Sequence, residues 1–304
     1  MRRSRALLLA VALLATAPAP ARAADPTLLV ATAADGSLVK VTVAGRVAVA
    51  QPLVPAAKGT YHVAAQAAGG TVTYSSWNVD TKRADVSTVQ VASGARRQHT
   101  RGGRTGQLLV SGDGKVRCVL RIDADGAFVS LARLDATGRA RTLYAPDPRI
   151  YGGVFLSGAS VTTNGRTVYL ARTTRGRPSP IYAVDTATGR LRQVPTDGSM
   201  LWVVNVVLSP DAKTLAVSYV DTTYALHVRL IPVAGGRGRQ LTLPYGARLM
   251  ATAFSPDGTS VVLTASSTRV GPAGTPGLWL ADVESGRATP ILGSHDLQNA
   301  VAVA

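Results

Sequence analysis

The chain has 304 residues, with 33 Lys plus Arg against 17 Asp plus Glu and a formal net charge of +16 at pH 7. A 46% hydrophobic content excludes a disordered chain, and a single cysteine excludes a disulfide-stapled scaffold. Four histidines, none at ligand spacing, argue against a dedicated transition-metal site, and the positive excess favours anionic partners.

The chain opens with basic Met1-Arg2-Arg3-Ser4-Arg5, then an apolar run from Ala6 to Ala15, then small residues and prolines up to Ala23. This is the pattern of a signal peptide over residues 1–23, cleaved after Ala23. The apolar run is far shorter than the roughly 20 residues that span a membrane. Arg2-Arg3 fits either general secretory or twin-arginine export. Export implies a secreted or extracytoplasmic protein with one domain over residues 24–304. The leader carries Arg2, Arg3, Arg5 and Arg22 and no acid, which leaves +12 on the mature chain. Its expected partner is a protein or an anionic cell-envelope component rather than nucleic acid, and the expected state is a monomer. The same richness in arginine also fits a GC-rich genome that uses Arg as its default polar residue.

After the leader come Leu28–Thr32, a turn at Asp35-Gly36, then Leu38–Val43, Gly45-Arg46 and Val47–Leu53: three strands of a unit that lacks its first. Downstream, one turn recurs as Ser111-Gly112-Asp113-Gly114, Thr163-Asn164-Gly165-Arg166, Ser209-Pro210-Asp211-Ala212 and Ser255-Pro256-Asp257-Gly258. A second turn recurs six times, at Gly45-Arg46, Gly94-Ala95-Arg96, Gly138-Arg139, Gly189-Arg190, Gly236-Arg237 and Gly286-Arg287. A period in the forties with four short strands per unit marks a propeller blade. Leu226-His227-Val228-Arg229-Leu230 alternates as a strand with one wet face does. No segment after the leader has helical period and caps. The chain ends in Asn299-Ala300-Val301-Ala302-Val303-Ala304, an unpaired strand that can complete the first unit and cover its edge. The fold class is therefore all-β: a six-bladed β-propeller of four-stranded antiparallel blades, closed by the C-terminal strand joining the N-terminal blade.

Phe254-Ser255-Pro256-Asp257-Gly258-Thr259-Ser260-Val261, followed by Leu278-Trp279-Leu280-Ala281-Asp282-Val283-Glu284-Ser285-Gly286-Arg287, resembles the WD-like propeller repeat of TolB-type proteins. The resemblance is specific in the last third of the chain and periodic elsewhere. TolB carries an α/β domain ahead of its propeller and contacts a lipoprotein; only the propeller part is matched here, without that domain.

The sequence holds no HExxH, no Gly-x-Ser-x-Gly and no phosphate loop opening a helix, so no local motif supplies catalysis or implies a cofactor. The turn residues Asp113, Asn164, Asp211 and Asp257 read as Asx groups bonded to backbone amides. Asp123-Ala124-Asp125-Gly126 starts like a calcium loop but lacks its closing Glu. Cys118, in an apolar stretch, reads as a small buried hydrophobe or as a reactive thiol.

Two surfaces are candidates. First and third turns share one face, so the Gly-Arg turns gather Arg46, Arg96, Arg139, Arg190, Arg237 and Arg287 on one rim. That rim suits an anionic surface, or equally the solubility of exposed turns. On the opposite face the inner strands begin. They deliver Tyr61-His62, Arg104, Tyr151, Trp202, Tyr245, Arg248 and His295-Asp296 beside the axis, joined by Trp77, Asp80, Arg175, Arg177, Tyr219, Asp221, Tyr224 and Arg269 from second turns. Such aromatic and charged residues suit recognition, or alternatively wedge between blades. The expected function is a secreted, non-catalytic binding module that uses this second face. The alternatives are a lyase or hydrolase acting on an acidic saccharide or lactone at the axis, and an adhesin that uses the arginine rim.

Overall fold

The computed structural model describes residues 27–125, 127–147, 154–174, 176–244, 248–265 and 277–303, so the leader lies outside it. Its first strands are β1 (Thr27–Ala33), β2 (Leu38–Ala44) and β3 (Val47–Val54). Four-stranded blades follow in chain order: β4 (Thr60–Ala68), β5 (Thr71–Asn78), β6 (Arg83–Gln90) and β7 (Arg96–Gln98); then β8 (Thr105–Val110), β9 (Arg117–Ile122), β10 (Phe128–Leu134) and β11 (Ala140–Tyr144). The fourth blade is β12 (Val154–Val161), β13 (Thr167–Thr174), β14 (Ile181–Asp185) and β15 (Leu191–Val194). The fifth is β16 (Trp202–Leu208), β17 (Thr214–Val220), β18 (Leu226–Pro232) and β19 (Arg239–Gln240). The sixth is β20 (Leu249–Phe254), β21 (Ser260–Ala265), β22 (Leu278–Asp282) and β23 (Ala288–Pro290), and the chain finishes in β24 (Leu297–Val303). Among the described residues there is no helix, hence none long and apolar enough to cross a membrane.

β24 is the innermost strand of the first blade, which runs β24-β1-β2-β3. It pairs antiparallel with β1, Leu28 opposite Val303 and Ala33 opposite Leu297. The ring is thus closed by hydrogen bonds between its first and last strands, and the edge of β1 is covered.

The turns form as local chemistry dictates. In the first turn of the fifth blade, Asp211 Oδ1 accepts the Ser209 hydroxyl at 2.6 Å and the Lys213 N–H at 3.1 Å, while Ser209 Oγ accepts the Thr214 N–H at 2.9 Å. Asp113, Asn164 and Asp257 repeat this bonding in their own blades. The bond from the serine hydroxyl, then the backbone N–H, holds the Asp113, Asp211 and Asp257 carboxyls below their ordinary range. Asp123 Oδ1 accepts the N–H of Asp125 and of Ala127, so it too closes a turn.

The core is a ring of six apolar clusters, one between each pair of neighbouring blades. Cys118 belongs to the cluster between the third and fourth blades, fully buried, and burial pushes its thiol up to about 11. Five seams hold ten to twelve buried residues each among the described ones, whereas the seam between the second and third holds only Val86, Leu108, Val119 and Ala132. That seam is the least filled of the ring.

Candidate functional site

Each inner strand contains one register shift against its neighbour, at Ala65, Gly106, Gly158, Val204 and Thr252, and in the β1–β24 pair next to Ala31. Such bulges bend the strand and re-aim its side chains. The amides and hydroxyls that follow them reach sideways to the next blade. Gln66 Nε2 donates to Val110 O at 2.5 Å while Val110 N–H donates back to Gln66 Oε1 at 3.0 Å. Asn205 Nδ2 donates to Ala251 O at 2.8 Å, and Ser160 Oγ donates to Val206 O at 3.1 Å. Buried hydroxyls on second strands add to this stitching: Thr32 donates to His62 O, Ser75 to Gly106 O, and Ser218 Oγ accepts the Ala251 N–H at 2.8 Å.

Within this stitched ring lies an axial cavity of about 710 Å³. Its lining runs from Tyr61, near the start of β4, to Gly69, Thr163, Pro210 and Pro256 in the turns that follow the inner strands, so it spans the height of the ring. The polar lining consists of the amides Gln66, Gln107, Asn205 and Asn299 and hydroxyls such as Ser160 and Thr252. Among the described residues no Asp, Glu, Lys, Arg, His or Cys lines it, and Tyr61 is its only ionisable side chain. Burial raises the pKa of that phenol.

An aromatic cluster flanks the mouth where the inner strands begin. Tyr61 and Trp77, opposite each other in the β4–β5 register, stack with ring centroids 6.5 Å apart at 10°. Trp77 meets Phe128 of the third blade edge-on, at 6.4 Å and 82°. Gly106 makes room for them: a β-carbon there would collide with the Phe128 ring and lie 3.1 Å from Trp77. Tyr61 is 39% exposed.

The sequence-predicted residues divide. His62, next to Tyr61, is sent by strand alternation to the other seam, where it is 7% exposed. Its Nε2 lies 3.1 Å from Pro55 O, its Nδ1 3.0 Å from Ser76 Oγ, and Tyr74 packs edge-on at 5.2 Å. Burial first of all lowers its pKa. Arg104, Arg248 and His295 are exposed just ahead of their strands, and Trp202, 47% exposed, opens β16. None of these five lines the cavity. Tyr151 and Tyr245, with Arg175 and Arg269, lie outside the described residues. Arg46, Arg139, Arg190, Arg237 and Arg287 are exposed in third turns and Arg96 is exposed where the third turn of its blade enters β7, one per blade.

Tyr224, 75% exposed, tops the second turn of the fifth blade in a left-handed conformation (φ 62°), which a tyrosine rarely adopts. The turn is fixed below it by Asp221, which accepts from Thr223 and Ala225 and sits 2.8 Å from His227 Nε2. The Thr223 hydroxyl is the largest cause holding the Asp221 carboxyl well below its ordinary range. His227 Nδ1 is 2.9 Å from Gln240 Nε2, and the Tyr219 hydroxyl donates to Gln240 Oε1 at 3.4 Å. Phe128, Gly106 and the His227–Gln240 link escape sequence reading. Only Gly106 carried a signal, a glycine inside a strand pattern.

No protein-family model matches the sequence, and no curated protein matches it. Solved structures do. TolB from Acinetobacter baumannii superposes with a TM-score of 0.70 at 16% identity, over 94% of this chain and 68% of that one. A chain of the nidogen/laminin complex gives 0.68 at 13% identity, over 91% and 98%. An oligogalacturonate lyase from Vibrio parahaemolyticus gives 0.53 at 14% identity, over 87% and 72%. Identities this low speak for the fold alone: with six blades and a C-terminal closing strand, the chain is a six-bladed β-propeller whose fold is similar to that of TolB.

Proposed function

We propose that the chain is an exported, non-catalytic propeller that binds a protein or envelope component through the face where its inner strands begin. One observation carries this reading: the exposed large aromatic side chains of the described residues, Tyr61, Trp202 and Tyr224, all stand on that face. Aromatic groups on a rigid scaffold supply contact area at little entropic cost, and such residues dominate binding energy at interfaces. The ring beneath them is preformed, which lowers the cost of association. Among the described residues the axis lining carries no carboxylate, imidazole or amine, which supports binding over acid–base catalysis by such groups. Two of the similar folds, TolB and the nidogen/laminin chain, point the same way, the second by coming from a protein–protein complex.

Site-specific photo-crosslinking in the native host tests the reading. A photoreactive residue at Trp202 or Tyr224 is expected to give one discrete adduct on the exported form, whose N-terminus is Ala24. The same residue at Arg190 or Arg237 is expected to give none. Adducts arising only from the arginine side would overturn the choice of face, and a retained leader would overturn export.

A further inference from the structure

The sparsely filled seam between the second and third blades opens as a cleft of about 510 Å³. Gly114 and Ala136, in the first and third turns of the third blade, place its opening on the side of the Gly-Arg turns. Its walls carry Thr88, Arg97 and His99 from the second blade and Lys115 and Arg117 from the third. Thr88 lies opposite Arg97 in the β6–β7 register, and its hydroxyl is 3.0 Å from His99 Nε2. Arg117 Nη2 donates to Asp135 O at 3.0 Å, which fixes one edge of the guanidinium.

No carboxylate lines this cleft among the described residues. Asp113 Oδ2 pairs with Lys115 Nζ at 3.7 Å on the exposed rim, while its Oδ1 accepts the Ser111 hydroxyl and the Lys115 N–H. Asp85, on β6, accepts the Thr100 hydroxyl and the Gly103 N–H. Two guanidinium groups and an imidazole, with the Asp113-paired Lys115 at the rim, therefore share one recess. Guanidinium groups match the geometry of oxyanions in a way that ammonium groups do not.

We propose that this cleft binds a small phosphorylated molecule through its dianionic phosphate. A phosphate monoester carries about −1.5 to −2 charge at pH 7, against one for a carboxylate, and so answers the two guanidinium groups better. The volume falls in the range of roughly 300–1,000 Å³ of organic ligand sites, which leaves room for the group that bears the phosphate. Burial, then Arg97 and Arg117, lower the pKa of His99. A bound dianion offsets those two charges, so the imidazole takes up a proton as the ligand enters. The site lies on the opposite face from the aromatic mouth and shares no residue with it, so either reading can fail alone.

The probe is inorganic pyrophosphate, followed by the ring resonances of His99 in residues 24–304, assigned with His99→Gln. The expected result is a saturable rise of the His99 pKa by half a unit or more, with no response to acetate at equal concentration. Arg97→Ala, at an exposed position, and Arg117→Gln are each expected to weaken binding about tenfold. The pair Arg190→Ala/Arg237→Ala, on other blades, is expected to leave it unchanged. The proposal is overturned by an unmoved His99 pKa or by equal weakening in both sets of variants. It is also overturned if anionic lipid vesicles bind where pyrophosphate does not, which would make the arginine side a surface rather than a site.

Discussion

At the scale of single residues, the ring depends on buried hydroxyls that do a backbone's work. Ser218 is fully buried, and its oxygen accepts the N–H of Ala251 in the next blade, next to the bulge at Thr252. Ser218→Ala strands that N–H away from water, and an unsatisfied buried donor costs about 1–3 kcal/mol. Thr137→Ala, in an exposed turn where Asp135 still accepts backbone N–H groups, is expected to stay within about 0.5 kcal/mol. Urea unfolding of both variants checks this, and equal midpoints would remove the stitching role. These contacts could not be read from sequence, because a serine inside a strand pattern carries no mark of which neighbour it will meet. The turn aspartates were legible for the opposite reason: Asp113, Asp211 and Asp257 bond to groups two residues away, and local geometry alone decides them.

At the scale of elements, repetition made the blades visible and parity hid the site. The two turn series placed every blade, and the unpaired run at the C-terminus predicted β24 as the strand that completes the first sheet. Which side chains face the axis was another matter. One extra residue flips the side of every residue beyond it, and such a register shift occurs in every inner strand. Ahead of the shift in β4, plain alternation sets Tyr61 toward the axial cavity and His62 into a seam, and Arg104, Arg248 and His295 stand before their strands begin. β24 makes the element-scale prediction. A chain ending at Ser294 leaves β1 with a bare inner edge and removes one wall of the cavity. It is expected to self-associate and to lose its cooperative thermal transition, as seen by size-exclusion chromatography and circular dichroism. A monomer that melts like the full chain would show that closure contributes nothing.

At the scale of the whole molecule, the two ends of the ring differ in chemistry, aromatic at one mouth and guanidinium-rich at the other, and acid acts on the protein in two stages. His62 and His99 have lowered pKa values in the folded state, mainly through burial, so they favour folding fully only above their unfolded value near 6.5. That contribution is lost as pH falls from about 6.5 through their folded values. The turn carboxyls, also lowered, favour folding above an unfolded value near 3.9 and lose that contribution below it. The melting temperature is expected to fall gently between pH 7 and 5 and steeply below pH 4. In His62→Asn, which retains a donor for the Pro55 carbonyl, the first decline is expected to shrink. Calorimetry at pH 7.5, 5.5 and 3.5 measures both stages, and an unchanged first decline in the variant would remove His62 from the account.

The closing pair has a mechanical consequence. Because β1 and β24 run antiparallel with Leu28 opposite Val303, the two strands leave the blade at the same end. Tension that draws Thr27 away from Val303 therefore peels the ladder open one pair at a time, rather than shearing all its hydrogen bonds at once. The clasp holds against heat, which must break its bonds together with the apolar seams on either side, yet it yields to a modest pull on its ends. A load borne through the mouths of the ring instead spreads over six blades and leaves the clasp slack.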